Sequence, residues 1–503
     1  MQYGQPAYLV CPNHIGMDKI ILHRLVAALD DEEVKKAKRF LASPYHTTDP
    51  LLERYFAQLC KYRPNMDDHR LSSEVVYRAL FPKEAYHEKK MRNLRYKLAQ
   101  SLRSFLAHQA LENDRREQQH LLLKSLADRE DYGLFQHEAR AFTDMLESDT
   151  NRGLDYHWYM AKLFHEMYFH QATGHGHAGQ PLFRGAVEHL EKCFSLLMFF
   201  YETEAETRRR TLNEDERSVF MEGIRERLAQ RFGPDEMPAS LFLNLVEPGS
   251  RALQELFGAL LDNDHLMSHF EFGMAWKILF VHAIMLSNQH DEQDLHELIF
   301  RMYRTGIEKQ LIRGSELSDP IRFANIALAA NLVGEYAWSA DFIKANKKHL
   351  DDDVQESIVD FCLAHLHYHR GLQTQNPTDL GQALRLISRL EQMDETFEFR
   401  IRTLHLRIMY DCLAHDPDIG HTLLDSTRNF KKFLARNRKL SKEKVLSFEL
   451  FAHHFQKLVK LTMATPKPAE AIASFIKTLE TEKGAAFIKW MMERAGKLGE
   501  ALG

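Results

Sequence analysis

Cysteine is scarce and scattered: Cys11, Cys60, Cys193, Cys362 and Cys412 are odd in number and never closely spaced. That pattern excludes a disulfide framework and fits a reducing compartment. Glycine (23) and proline (15) are few for 503 residues, which favours long helices over strands and tight turns. No apolar run comes near the roughly eighteen residues that a membrane-crossing helix requires. The start, MQYGQPAYLVCPNHIG, has neither a basic leader nor a continuous apolar core, so it does not read as a signal peptide. A cytoplasmic location without a membrane partner is therefore the expectation. Net positive charge is lacking too. At a formal charge of −5 the chain offers no general polyanion-binding surface, and any nucleic-acid contact has to be local. Catalytic signatures are also missing, with no phosphate-cradling glycine pattern, nucleophile elbow or kinase set.

What is present is helical. Hydrophobic residues at 44% and charged residues at 27% are ordinary for a globular protein. The length suits about three domains or one elongated repeat array. Residues 1–16 show no helical period and are either a flexible tail or an extension ahead of the natural start. Periodicity begins at Met17 and runs through Ile20, Leu22, Val26 and Leu29. Asp30 and Asp31 then head a helix that Ser43-Pro44 ends, and Asp49-Pro50 starts another that closes near Arg63-Pro64. Ser72 or Ser73 is placed to cap the short helix that follows.

After Phe81-Pro82 comes a long helix, expected over 86–111, whose faces differ sharply. Met91, Leu94, Leu98, Leu102 and Phe105 recur at three- and four-residue spacing and form one apolar stripe. Opposite lie Lys89, Arg92, Asn93, Tyr96, Gln100 and Arg103. Between Lys83 and Arg103 there are seven Lys/Arg against two Glu, a local basic face in an acidic chain. Lys and Arg supply phosphate contacts, and Asn and Arg can read base edges, so Lys89, Arg92, Asn93, Tyr96 and Arg103 are candidates for a nucleic-acid face. The same face could meet an acidic protein or be merely solvated. The helical pattern then continues through ALENDRREQQHLLLKSLADRE with little interruption.

From about Tyr132 to Thr462 amphipathic helices alternate with short polar joints, in pairs starting at intervals of roughly forty residues in the second half, as in stacked helical hairpins. Residues 211–250 suggest an inserted helix and a loop punctuated by proline and glycine. After Thr465-Pro466-Lys467-Pro468, apolar positions at Ile472, Phe475, Ile476, Leu479, Phe487, Ile488, Trp490 and Met491 mark a terminal helix pair.

Two resemblances rest on these residues. Leu71-Ser72, Ala79-Leu80-Phe81-Pro82, and Arg92, Asn93, Leu94, Leu98 and Leu102 resemble the helix-turn-helix part of bacterial transcriptional activators that join a winged helix to helical repeats. The likeness covers about forty residues; after the long helix those regulators have a β-hairpin wing, whereas this chain continues as helix. Gly334-Glu335-Tyr336 with Ser339 and Phe342 is similar to the turn, aromatic, small residue and second aromatic of tetratricopeptide-type (TPR) repeats. Leu380, Ala383 and Leu386 repeat the offsets, as do Phe183, Ala186 and His189. This likeness covers about two-thirds of the chain.

Histidine motifs fall short of a metal site. His165-Glu166 with His170 resembles a zinc-protease motif, but the two histidines are five residues apart where sharing a helix face needs four. His365 and His369 do share a face, yet two ligands are too few, and a partly buried, hydrogen-bonded pair is the simpler expectation. His175 with His177, and Cys11 with His14, are likewise incomplete. Arg428 to Lys444 forms a second basic run, with Phe430, Phe433 and Leu434 as its buried side.

The expected fold is all-α. Residues 1–16 form the tail or extension, 17–128 a helix-turn-helix-like bundle, 129–464 a TPR-like α-solenoid and 465–503 a helical cap. The expected function is a non-enzymatic scaffold holding a protein or peptide partner in the groove of the array. The alternative is a transcriptional regulator whose bundle binds DNA. No catalytic residue, cofactor or metal is expected.

Overall fold

A computed structural model describes residues 14–66, 68–129, 131–170, 179–212, 223–232, 250–289, 293–390, 395–436, 442–482 and 484–500. Among these residues the fold is all-α, without a strand. The chain divides into two compact units, residues 1–150 with 154–194 and residues 151–153 with 195–503.

The first unit opens with α1 (His14–Ala28), α2 (Asp31–Ala42), α3 (Pro50–Cys60), α4 (Ser73–Leu80) and α5 (Glu88–Asn113). Their ends follow local chemistry. Asp30 and Glu33 form a reciprocal capping box on α2, and Asp49 caps α3 with Pro50 in its first turn. Ser72 takes the cap position of α4 but makes no side-chain bond there; the side chain of Asp68 caps the 3₁₀ turn just before it. All four other helices pack on α5. Its predicted stripe is the centre of the core: Met91, Leu94, Leu98, Leu102 and Phe105 are buried with Leu22, Val26, Tyr55, Phe56 and Tyr77.

Further along come α6 (Arg115–Ala127), α7 (Tyr132–Glu147), α8 (Leu154–Phe169) and α9 (Gln180–Leu212), the last of which passes into the second unit. The helical pattern expected to continue beyond Glu112 with little interruption does so, with one break. Asp114 leaves helical geometry (φ −109°, ψ 88°) and its carboxylate accepts from the Glu117 amide, so α5 ends and α6 begins at this cap. A second core gathers Leu123, Leu126, Phe135, Phe142, Tyr159, Met160 and Leu163 from α6, α7 and α8.

The second unit continues with α10 (Ile224–Arg231), α11 (Ser250–Asp262), α12 (His269–Gln289), α13 (Gln293–Glu308), α14 (Pro320–Leu332), α15 (Tyr336–Asn346) and α16 (Asp352–Thr374). These are followed by α17 (Pro377–Ile387), α18 (Glu395–Cys412), α19 (Ile419–Arg436), α20 (Lys442–Met463), α21 (Ala469–Thr481) and α22 (Ile488–Glu500). From α11 onward helices pack mainly on the next helix and the next but one, as α14 does on α15 and α16. Small residues stand where helices cross. Ser339 is fully buried with its hydroxyl 3.3 Å from the Ala327 carbonyl, and Ala383 is fully buried between Leu380 and Leu386. Gly334 has φ +82° at the turn into α15, a conformation that favours glycine. Most of 211–250 lies outside the described residues, α10 excepted.

The expectation of no long apolar stretch is corrected at α12. Residues 269–287 reach spanning length with a mean hydropathy of 1.3, and 33% of that window is buried. The helix carries two charges, both engaged. Glu271 is fully buried and accepts from the Ser268 hydroxyl at 2.8 Å, and Lys277 is ion-paired with Glu204. Trp276 donates from Nε1 to the Met302 carbonyl at 2.9 Å.

The last helix is held by a buried polar network. Asp411 of α18 accepts from Tyr368 Oη at 2.7 Å and from Arg494 Nε and Nη2, each at 3.1 Å. Trp490 Nε1 donates to Tyr368 Oη at 2.9 Å. Trp490 also packs edge-on against Tyr410 and lies under the Arg494 guanidinium.

Candidate partner-binding surfaces

The basic face of α5 is open. Lys89, Arg92, Asn93, Tyr96, Gln100 and Arg103 are all exposed and recur at helical spacing along one side of the helix. Lys89, Arg92 and Arg103 have no carboxylate within ion-pair distance among the described residues. Lys83 is exposed as well, and the other cations of the run are engaged or covered. Lys90 pairs with Glu84 at 2.7 Å, Lys97 with Asp49 at 3.2 Å, and Arg95 is buried. Gln100 Nε2 donates to Tyr96 Oη at 3.0 Å, fixing that phenol on the stripe.

A second surface was not singled out by the sequence. In the first unit α8 and the start of α9 lie side by side around a cavity of about 380 Å3 lined by Trp158, Lys162, Phe169, Phe183, Val187 and Leu190 among others. The close approach depends on Gly185. A Cβ there would meet the Phe164 ring at 2.9 Å, so only a residue without a side chain fits. The TPR-like offsets place the small residue at Ala186 instead, and Ala186 and the half-exposed Phe183 both line the cavity.

The walls are two exposed apolar ridges. Trp158 is 44% exposed and Phe169 62% on α8; Phe183 is 53% and Leu190 52% on α9. Phe194 continues the second ridge. Tyr168 meets Phe183 across the two helices at 5.5 Å between ring centroids. Large contiguous apolar patches are uncommon on the surfaces of soluble proteins.

One margin of the cavity is polar. Lys162 donates to Glu117 at 3.0 Å and stands 5.2 Å over the Trp158 ring. That bond to Lys162 lowers the Glu117 carboxyl below its usual value. His120 lies 3.7 Å from Glu166; burial, with the Lys162 charge second, makes it less basic than an exposed imidazole. These groups pair with one another along that margin.

The other histidine candidates separate. His165 is exposed and packs on Phe169, whereas His170 is buried against Tyr132 and Phe135. His367 reaches Asp379 at 2.8 Å. His365 and His369 stack at 4.4 Å between centroids. The expectation that this pair is hydrogen-bonded is corrected, because buried Nδ1 of His365 and Nε2 of His369 have no partner. His175, His177 and Cys11 lie outside the described residues. Of the second basic run, Phe430 and Leu434 are buried as expected, and residues 437–441 are outside the description.

Comparison with protein-family models, with curated proteins and with solved structures finds no match.

Proposed function

We propose that the protein is a non-enzymatic interaction scaffold, built on TPR-like helical hairpins, that docks an amphipathic helix of a partner protein in the α8–α9 groove. The observation that carries this reading is the pair of exposed apolar ridges flanking that cavity. Trp158 and Phe169 on one side, with Lys162 and His165 between them, and Phe183, Val187, Leu190 and Phe194 on the other repeat at three- and four-residue steps. A helix offering apolar anchors at i, i+3 or i+4, and i+7 matches both rows. The packing of most helices on their next neighbour in the second unit, and of α14 on α16, α16 on α18 and α20 on α22, supports the solenoid reading, with α21 and α22 as the cap.

The test is selection of helical peptides with such anchors against the full chain, alongside Phe183→Glu/Leu190→Glu. Peptides enriched on the native protein should bind the variant at least about tenfold more weakly, since each buried side chain contributes roughly 1.5–3 kcal/mol. Enrichment that is the same on both proteins sinks the reading.

A second reading is favoured by the unpaired α5 stripe: a regulator whose helix-turn-helix-like bundle lays Lys89, Arg92, Asn93, Tyr96 and Arg103 against duplex DNA. Binding to the full chain should then fall steeply with salt as counterions are released, and Lys89→Glu/Arg92→Glu/Arg103→Glu should abolish it. Absence of any salt-dependent binding refutes this second reading and leaves the groove untouched.

A further inference from the structure

We propose, resting on the groove reading, that the partner helix is basic and that one of its lysines or arginines enters the α8–α9 cavity to ion-pair with Glu166. The charges along the polar margin are unequal. Lys162 is cancelled by Glu117 at 3.0 Å and is flanked by the Trp158 and Tyr159 rings, at 5.2 Å and 4.8 Å. Glu166, one turn further along α8, lines the cavity with its side chain 20% exposed. Among the described residues no lysine or arginine reaches its carboxylate within ion-pair distance; the group that does is the His120 imidazole, with Nε2 3.7 Å from Oε1.

That imidazole does not supply the missing charge. Lys162 Nζ stands 3.4 Å from His120 Nδ1 and can only donate there, so the ring accepts through a lone pair and is the neutral tautomer. Burial, with the Lys162 charge second, acts in the same direction by making His120 less basic. Nor does the facing helix help. Its nearby charged side chains, Arg184, Glu188, Glu191 and Lys192, lie outside the cavity lining, and Glu188 pairs with Lys192 at 3.6 Å. Glu166 also occupies the last turn of α8, where the helix carbonyls add negative potential and no basic residue offsets it.

The cavity thus combines apolar walls with one carboxylate that lacks a cation. A helix bringing only apolar anchors would strip water from Glu166 and leave it bare, which is costly. A lysine or arginine removes that cost. Its aliphatic stem packs on the walls, and its head meets the carboxylate where little water remains to screen the attraction. Tyr168, Phe169 and Phe183 line the same cavity, and aromatic faces attract cations as well.

The test is selection on the full chain from a library of amphipathic helical peptides in which the residues flanking the apolar anchors vary. Lysine or arginine should be enriched over glutamate at one flanking position. Replacing that residue by norleucine should weaken binding by about tenfold or more, and Glu166→Gln should weaken the basic peptide as much while leaving the norleucine peptide unweakened. Glu188→Gln, a charge change outside the cavity, should leave both peptides unaffected. Should Glu166→Gln fail to fold, the lysine-to-norleucine comparison on the native chain decides. Three results overturn the basic partner alone while Phe183→Glu/Leu190→Glu still abolishes binding: no basic preference, a norleucine peptide that binds as tightly, or a Glu188→Gln loss equal to that of Glu166→Gln. No enrichment at all, or binding indifferent to Phe183→Glu/Leu190→Glu, overturns the groove reading and this inference together.

Discussion

Replacing Asp411 should loosen the last helix. Its side chain is 11% exposed and that of its partner Arg494 is 10%, so neither can turn to water when the other is removed. Asp411→Ala strips Arg494 of two N–H···O bonds at 3.1 Å and Tyr368 of an acceptor at 2.7 Å. Breaking a buried pair in this way costs roughly 3–5 kcal/mol. Glu493 also holds Arg494 Nη1, at 2.6 Å, but is 65% exposed and can offset only part of the loss. We therefore expect about 3 kcal/mol. Arg494→Met, which leaves Asp411 buried with only the Tyr368 bond, should cost a similar amount. The double variant removes both charges, so its loss should be well below the sum. Urea unfolding gives the three free energies, and amide exchange across α22 localises the effect. A coupling of less than about 0.5 kcal/mol between the two sites would refute the reasoning, because independent residues behave that way.

Two further outcomes follow from the geometry. Arg370 hydrogen-bonds Asp379 and, with His367, holds its carboxyl at about 2, below the ordinary 3.8. A lowered folded value stabilises above the unfolded value and is lost as pH falls between 3.8 and about 2, so roughly 2 kcal/mol should vanish across that window. Urea midpoints measured down to pH 2.5 should show it, and Asp379→Asn should lack that part of the acid sensitivity. Gly185→Ala should cost about 1–3 kcal/mol by driving a methyl into Phe164, and should splay the α8–α9 groove. An unchanged unfolding midpoint would show that Phe164 yields freely.

Legibility varied with range along the chain. The α5 stripe was readable because helical spacing alone decides which side chains share a face, and Leu98 and Leu102 are fully buried where that spacing puts them. Capping residues at Asp30 and Asp49 were readable for the same local reason. The break at Asp114 was hidden because it lies among polar residues with no change in apolar rhythm, although Asp114 followed by Glu117 is a cap signal. The groove was missed because periodicity shows that Phe183, Val187, Leu190 and Phe194 form a face but not that the fold leaves it uncovered. Nothing local could announce the Asp411 network, whose bonds join residues 83 and 122 positions apart.

That separation bears on the order in which the protein is made. Synthesis delivers Tyr368 and Asp411 long before Trp490 and Arg494, so during elongation a carboxylate and a phenol wait without their later partners. Chains emerge at about 5–20 residues per second, which leaves the network open for roughly 4–17 s over those 83 positions. Throughout that interval water has access to the Tyr368 and Asp411 side chains that α22 later covers.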